Sequence, residues 1–167
     1  MSSKIKTNWI VPLRLVIGFG FAAHGYAKLS RGPASFGRVL EAMGVPEPIL
    51  MAWITSLLEL IGGVCVMAGA FVAPLALPLG IIMLTAMFKV HFQYGFSSIR
   101  LKAITASGAE FGPIGYELNL LYIAALIALA LSAPPPLSLD YWFRQRRQRG
   151  ISQPGTSANH SADMGRS

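Results

Sequence analysis

The chain has 167 residues, 53% of them hydrophobic and 13% charged, with a formal net charge of +7 and a mean hydropathy of +0.53. That balance excludes an ordinary water-soluble domain and places the chain in a membrane. The positive surplus lies in the N-terminal tail, the loops and the run "RQRRQR" at 144–149, which is juxtamembrane charge facing lipid headgroups and not a nucleic-acid footprint.

Apolar stretches of spanning length lie at about 9–29, 49–71, 74–94 and 115–133, each near the ~20 residues that a bilayer core requires. They predict an all-α fold, a four-helix transmembrane bundle forming one membrane domain over 1–143, followed at 144–167 by a basic juxtamembrane segment and a disordered polar tail. His160 and Asp163, in that tail, carry no functional expectation. Lys4 and Lys6 precede the first stretch as they would in a signal peptide, but the apolar core is too long and no A-x-A site closes it, so it is read as a retained span.

An even number of spans puts both termini on one side. Lys4, Lys6, Arg144, Arg146, Arg147 and Arg149 there outweigh Arg31, Arg38, Arg100 and Lys102 opposite, so both termini are expected in the cytoplasm, in a bacterial cytoplasmic membrane. Trp9, Tyr141 and Trp142 would mark the inner interface, and Tyr26, Trp53, Tyr94 and Tyr116 the outer one.

The first span carries Arg14, His24 and Lys28. At ~100° per residue, Gly18, His24, Gly25 and Lys28 all fall within about 80° of Arg14, so they share one face. That face should point at a neighbouring helix, because a charge at the bilayer centre costs roughly 2.5 to 3.5 kcal/mol on insertion scales. Its glycines let a partner approach closely. In the loop 30–48, Phe36, Val39, Leu40 and Met43 recur at helical spacing, with Ser35 as N-cap and Gly44 then Pro46 as the stop, which predicts a short helix lying on the bundle.

The second span places Glu59 near the midplane, on a stripe with Thr55, Ser56, Gly62 and Gly63, and the glycines are assigned to helix packing. Its cysteine, Cys65, stands alone in the sequence, which excludes an intrachain disulfide and a C-x-x-C redox pair. A tight connection at "FVAP" leads to the third span, whose outer end holds Lys89 and His91 on roughly opposite faces. Lys89 can snorkel outward, so His91 is expected to point inward. Loop 95–114 has turn-forming ends around apolar residues and is expected to form a second cover. The fourth span opens with "GYELNLLY", which puts Glu117 at the outer interface.

Assembled antiparallel, these spans are expected to bring His24, Lys28, His91 and Glu117 together in the outer half, with Glu59 below them. These residues are the catalytic candidates. Arg14, nearer the inner end, either reaches the inner headgroups or leans toward Glu59, and Asp140 serves as a cap or a partner for nearby arginines. Both are assigned structural polar roles. His24, His91, Glu59 and Glu117 show no ligand spacing such as H-E-x-x-H, so no metal site is expected.

The motifs "LRLVIGFGFAAHGYAKL", "LLELIGGVCVMAG", the "VH" of Val90 and His91, "GYELNLL" and the "SLD" at 138–140 together resemble the DoxX family of membrane proteins. The family's arginine, His-Gly pair and lysine in the first helix fall on Arg14, His24, Gly25 and Lys28. Its glutamate before a glycine pair, the histidine ending the third helix and the glutamate opening the fourth fall on Glu59, His91 and Glu117. Its Ser-Leu-Asp ending falls on Asp140, where "APPP" replaces the usual glycine-rich approach.

The resemblance implies a four-helix integral membrane protein linked to redox processes, in a family named after subunits of a quinone-coupled sulfur-oxidising complex. Three functional classes follow. A redox-associated component would interact with a quinone and act as part of a membrane oxidoreductase with a partner protein carrying the redox centre. A structural or assembly subunit would hold the polar groups as a static network. A small-solute or proton pathway would line a wet cavity with them and form a homo-oligomer.

Overall fold

The structure is a computed structural model and describes residues 8–151. Lys4, Lys6 and the polar tail with His160 and Asp163 lie outside the described residues. Helix α1 (Ile10–Ser30) and helix α3 (Pro48–Ala68) have 21 residues each. Helix α4 (Val72–Ala86) continues through a π turn at Met87–His91 and a 3-10 turn at Phe92–Tyr94 to make 23 residues in all. Among the described residues these three are long and apolar enough to cross a membrane, since 21 residues at ~1.5 Å each make about 32 Å.

The fourth expected stretch yields a shorter helix, α5 (Glu117–Leu131), of 15 residues. Its start is delayed because the backbone N–H groups of Gly115, Tyr116 and Glu117 donate to Ser97, Gly95 and Phe96 across the preceding loop. Its end comes early because Ser132 turns extended, with ψ 148°, ahead of Pro134, Pro135 and Pro136, which disfavour helix in the residues before them.

Helix α1 packs chiefly on α3, and α4 on α5. The core where they meet holds Ile10, Ile17, Phe21, Val66, Leu79, Ala125, Leu126 and Leu129. Large apolar side chains such as Val16, Phe19, Ile61, Leu77, Ile81, Leu121 and Ile127 point outward and stay exposed, as lipid-facing residues must. Gly62 does not join α1: it faces Leu75 and Leu79 of α4. Gly18, Gly25 and Gly63 line the α1–α3 seam.

The loop after α1 does form the expected short helix, α2 (Pro33–Ala42). Ser35 is not its N-cap. Gly32, at φ 85°, occupies that position and Pro33 the first helical one, where a proline's missing N–H costs nothing. Gly44, at φ 70°, ends the helix, donating to Glu41 O while Val45 N reaches Leu40 O.

Loop 95–114 departs from the expected cover. It contains an antiparallel hairpin of β1 (Leu101–Thr105) and β2 (Gly108–Phe111), and the strands are exposed apart from a half-buried Thr105. Ile104 is 79% exposed. The tip is tied locally, Thr105 Oγ1 to Ser107 Oγ at 2.8 Å. The basic run 144–149 lies in a last helix, α6 (Leu139–Ile151). There Arg146 stacks on Trp142 at 3.7 Å from the ring centroid.

Candidate functional site

The seam between α1 and α3 positions the candidate centre. A Cβ on Gly25 would meet Ser56 O at 2.6 Å, and one on Gly63 would meet Gly18 O at 2.5 Å, so only glycine permits this helix approach. One turn beyond Gly25, Lys28 reaches across and its Nζ pairs with Glu59 Oε2 at 2.6 Å. Glu59 is 1% exposed and the Lys28 side chain 23%. The Lys28 ammonium also sits over the Phe36 ring of α2, 4.6 Å from the centroid, a cation–π contact that shields the pair from the loop side. Among the described residues this is the one side-chain ion pair within 4.0 Å.

The other candidates do not converge on it. His24 is exposed, off the packed face of α1. It misses α3, whose Gly63 faces Gly18 and Ala22 and whose Ser56 and Leu60 face Gly25 instead. His91 is half-buried at the end of the α4 continuation, and its Nδ1 lies 3.0 Å from Ile114 O. Glu117 Oε2 accepts from Ser98 N at 3.0 Å, so the carboxylate holds the loop leading to the hairpin. Lys89 is exposed and points to Met43 O at 3.5 Å. The expected group of His24, Lys28, His91 and Glu117 therefore separates: Lys28 pairs with Glu59, His91 and Glu117 each contact loop backbone, and His24 stays exposed.

A second polar cluster forms at the opposite end. Arg14 is 5% exposed and donates from Nη2 to Leu137 O at 2.8 Å. It does not lean toward Glu59. Asp140 Oδ1 accepts from Phe71 N at 2.9 Å and Oδ2 from Val72 N at 3.2 Å, which caps the first turn of α4, where no local side chain does so. The capping carboxylate is supplied from 68 and 69 positions away, so no local cap motif announces it. Phe36 was also missed as a site residue, because its place on the apolar stripe of α2 made it an ordinary packing position.

The DoxX family profile matches residues 9–92, from the start of α1 through the π turn, and so takes in Arg14, Lys28, Glu59 and His91. The chain belongs to the DoxX family. Its three long apolar helices fit an integral membrane protein. An uncharacterized protein of Haemophilus influenzae is similar, 28% identical over 142 residues that cover 84% of this chain and 94% of that one. No solved structure matches.

Proposed function

We propose that this DoxX-family chain is a redox-associated, quinone-interacting component of a bacterial cytoplasmic membrane, acting with a partner protein that supplies the redox centre. The observation that carries the reading is the Lys28–Glu59 pair: a carboxylate at 1% exposure joined to an ammonium at 23%. Ionisable groups within membrane spans are costly and often mark functional sites. An ammonium has three donors, and Lys28 uses one on Glu59, which leaves donors for a quinone carbonyl arriving beside Phe36. Reduction of a quinone takes two electrons, here from the partner, and two protons. The Lys28 ammonium hands one proton to a carbonyl oxygen and regains it from water, which its 23% exposure reaches; the other carbonyl oxygen takes its proton from water, and Glu59 holds the ammonium in place. A second reading, a structural subunit with a static pair, draws support from the glycine seam, because Lys28–Glu59 lies one turn beyond Gly25 and would simply lock that contact.

One variant separates the two. Replacing both partners, Lys28→Met with Glu59→Gln, removes the charges together and is expected to keep the protein folded. Quinone retained by the protein purified in mild detergent, measured by extraction and chromatography, should then fall at least about ten-fold, the equivalent of ~1.4 kcal/mol. Unchanged quinone content in the folded double variant, or no quinone in the wild type, would reject the redox reading in favour of the structural one.

The same proposal includes four crossings with both termini cytoplasmic. Its support is that α5 begins beside His91, through Ile114, and the chain after it returns to the first turn of α4, through Asp140. The 15 residues, about 22 Å at ~1.5 Å each, thus join the two ends of α4. In a Cys65→Ser background, Ser107→Cys should react with a membrane-impermeant thiol reagent on intact cells and Gln145→Cys only after lysis. Equal accessibility at both positions would mean that α5 does not cross.

A further inference from the structure

Arg14 presents a structural anomaly. Its side chain is 95% buried by the 5% exposure it retains, yet Nε and Nη1 have no hydrogen-bond partner. Unmade hydrogen bonds at a buried charged group are costly, so such donors call for an acceptor. The residue lines a cavity of about 60 Å³ together with Gly69, Ser138, Asp140 and Arg144. A water-sized oxygen needs at least ~10–15 Å³ of space, so the cavity has room for a small polar occupant.

The surrounding groups define the chemistry of the occupant. Asp140 has both oxygens engaged by Phe71 N and Val72 N, and forms no ion pair with Arg14 within 4.0 Å among the described residues. Ser138 Oγ donates to Pro135 O and accepts from Tyr141 N, so its hydroxyl is already occupied. Arg144, exposed at the rim, has no hydrogen bond or ion pair in the described structure. Two guanidinium groups against one carboxylate, which already accepts two backbone N–H groups, leave the pocket net positive. Space is kept for Arg14 by Gly69, where a Cβ would collide with Nη1 and lie 2.5 Å from Ser138 Cβ. The cavity sits where α1 begins and α3 ends, one helical turn from Ile10.

We infer that the Arg14–Arg144 cavity binds a phosphate oxyanion, with Arg14 as its buried floor and Arg144 as its rim. A phosphate brings several acceptor oxygens in one compact group, and guanidinium is the side chain best matched to it. The phosphate comes either from a phospholipid headgroup of the adjoining leaflet or from free phosphate in solution.

The full-length protein in dodecyl maltoside tests this. One arm adds phosphatidylglycerol or, as its phosphate-free counterpart, diacylglycerol, and reads bound lipid by native mass spectrometry. The other titrates inorganic phosphate against chloride at constant ionic strength and reads Tm. Phosphatidylglycerol should be retained over diacylglycerol, and Arg144→Gln should weaken that retention about ten-fold, the loss expected for one charge-assisted contact. Arg147→Gln, on the same helix but away from the cavity, should leave it within two-fold. Lipid retention alone assigns a headgroup. A Tm rise with inorganic phosphate that Arg144→Gln removes assigns a free oxyanion. Arg144 carries the test because an Arg14 substitution would also lose the Leu137 contact. Equal losses in Arg144→Gln and Arg147→Gln, or no preference for phosphate in either arm, would overturn the inference and leave water in the cavity.

Discussion

Gly63→Ala should drive α1 away from α3 and lower the Tm of the detergent-solubilised protein by roughly 10 °C, the consequence of ~3 kcal/mol of overpacking in a chain of this size. The added carbon would lie 2.5 Å from Gly18 O and 3.0 Å from Ala22 Cα. Both are backbone atoms, which cannot turn aside as a side chain can. The seam also carries most of the contact between these helices, and without a hydrophobic drive in lipid their association depends on close packing. Gly80→Ala is the control. It sits in α4 with nothing within 4 Å of an added Cβ, and removing a mid-helix glycine should hold Tm or raise it slightly. If Gly63→Ala and Gly80→Ala melt together, the α1–α3 approach is looser than described.

The Lys28–Glu59 pair should show strong and asymmetric coupling. Removing one partner of a buried ion pair costs about 3–5 kcal/mol because the other charge is stranded. Lys28→Met strands Glu59, which at 1% exposure has no route to water, so this variant should be the least stable. Glu59→Gln strands Lys28, which at 23% exposure can extend its flexible stem toward the interface, so its loss should be smaller. The double variant should recover most of the stability, giving a coupling energy of at least ~1 kcal/mol in a double-mutant cycle read from Tm in one detergent. Arg38→Gln sets the baseline, because the Arg38 side chain makes an exposed contact to Ser35 Oγ at 3.4 Å. Additive losses in the cycle would mean that the two side chains do not form a pair.

Hydropathy and charge placement are properties of the chain itself, so the membrane class, the helices α1, α3 and α4, and the short amphipathic α2 were legible from residues alone. So was the need for Glu59 to find a basic partner, since a lone carboxylate in a span is too costly to leave unmatched. Which base it would find was not legible. Arg14, His24 and Lys28 share a broad face on a helical wheel, and only the rotation of α1 against Gly63 and Ser56 selects Lys28 and leaves His24 exposed. The π turn at Met87–His91 inserts an offset that a regular wheel does not contain, and this places His91 on Ile114 O. The hairpin at 101–111 and the capping of α4 by Asp140 depend on partners that are distant in sequence or on backbone groups with no residue signature. Local pattern therefore determined which segments are helical and which of them seek lipid. The choice of polar partners was left to the close approach of backbones, because helix rotation and contact distance are set by the neighbouring helix and are not encoded in either helix alone.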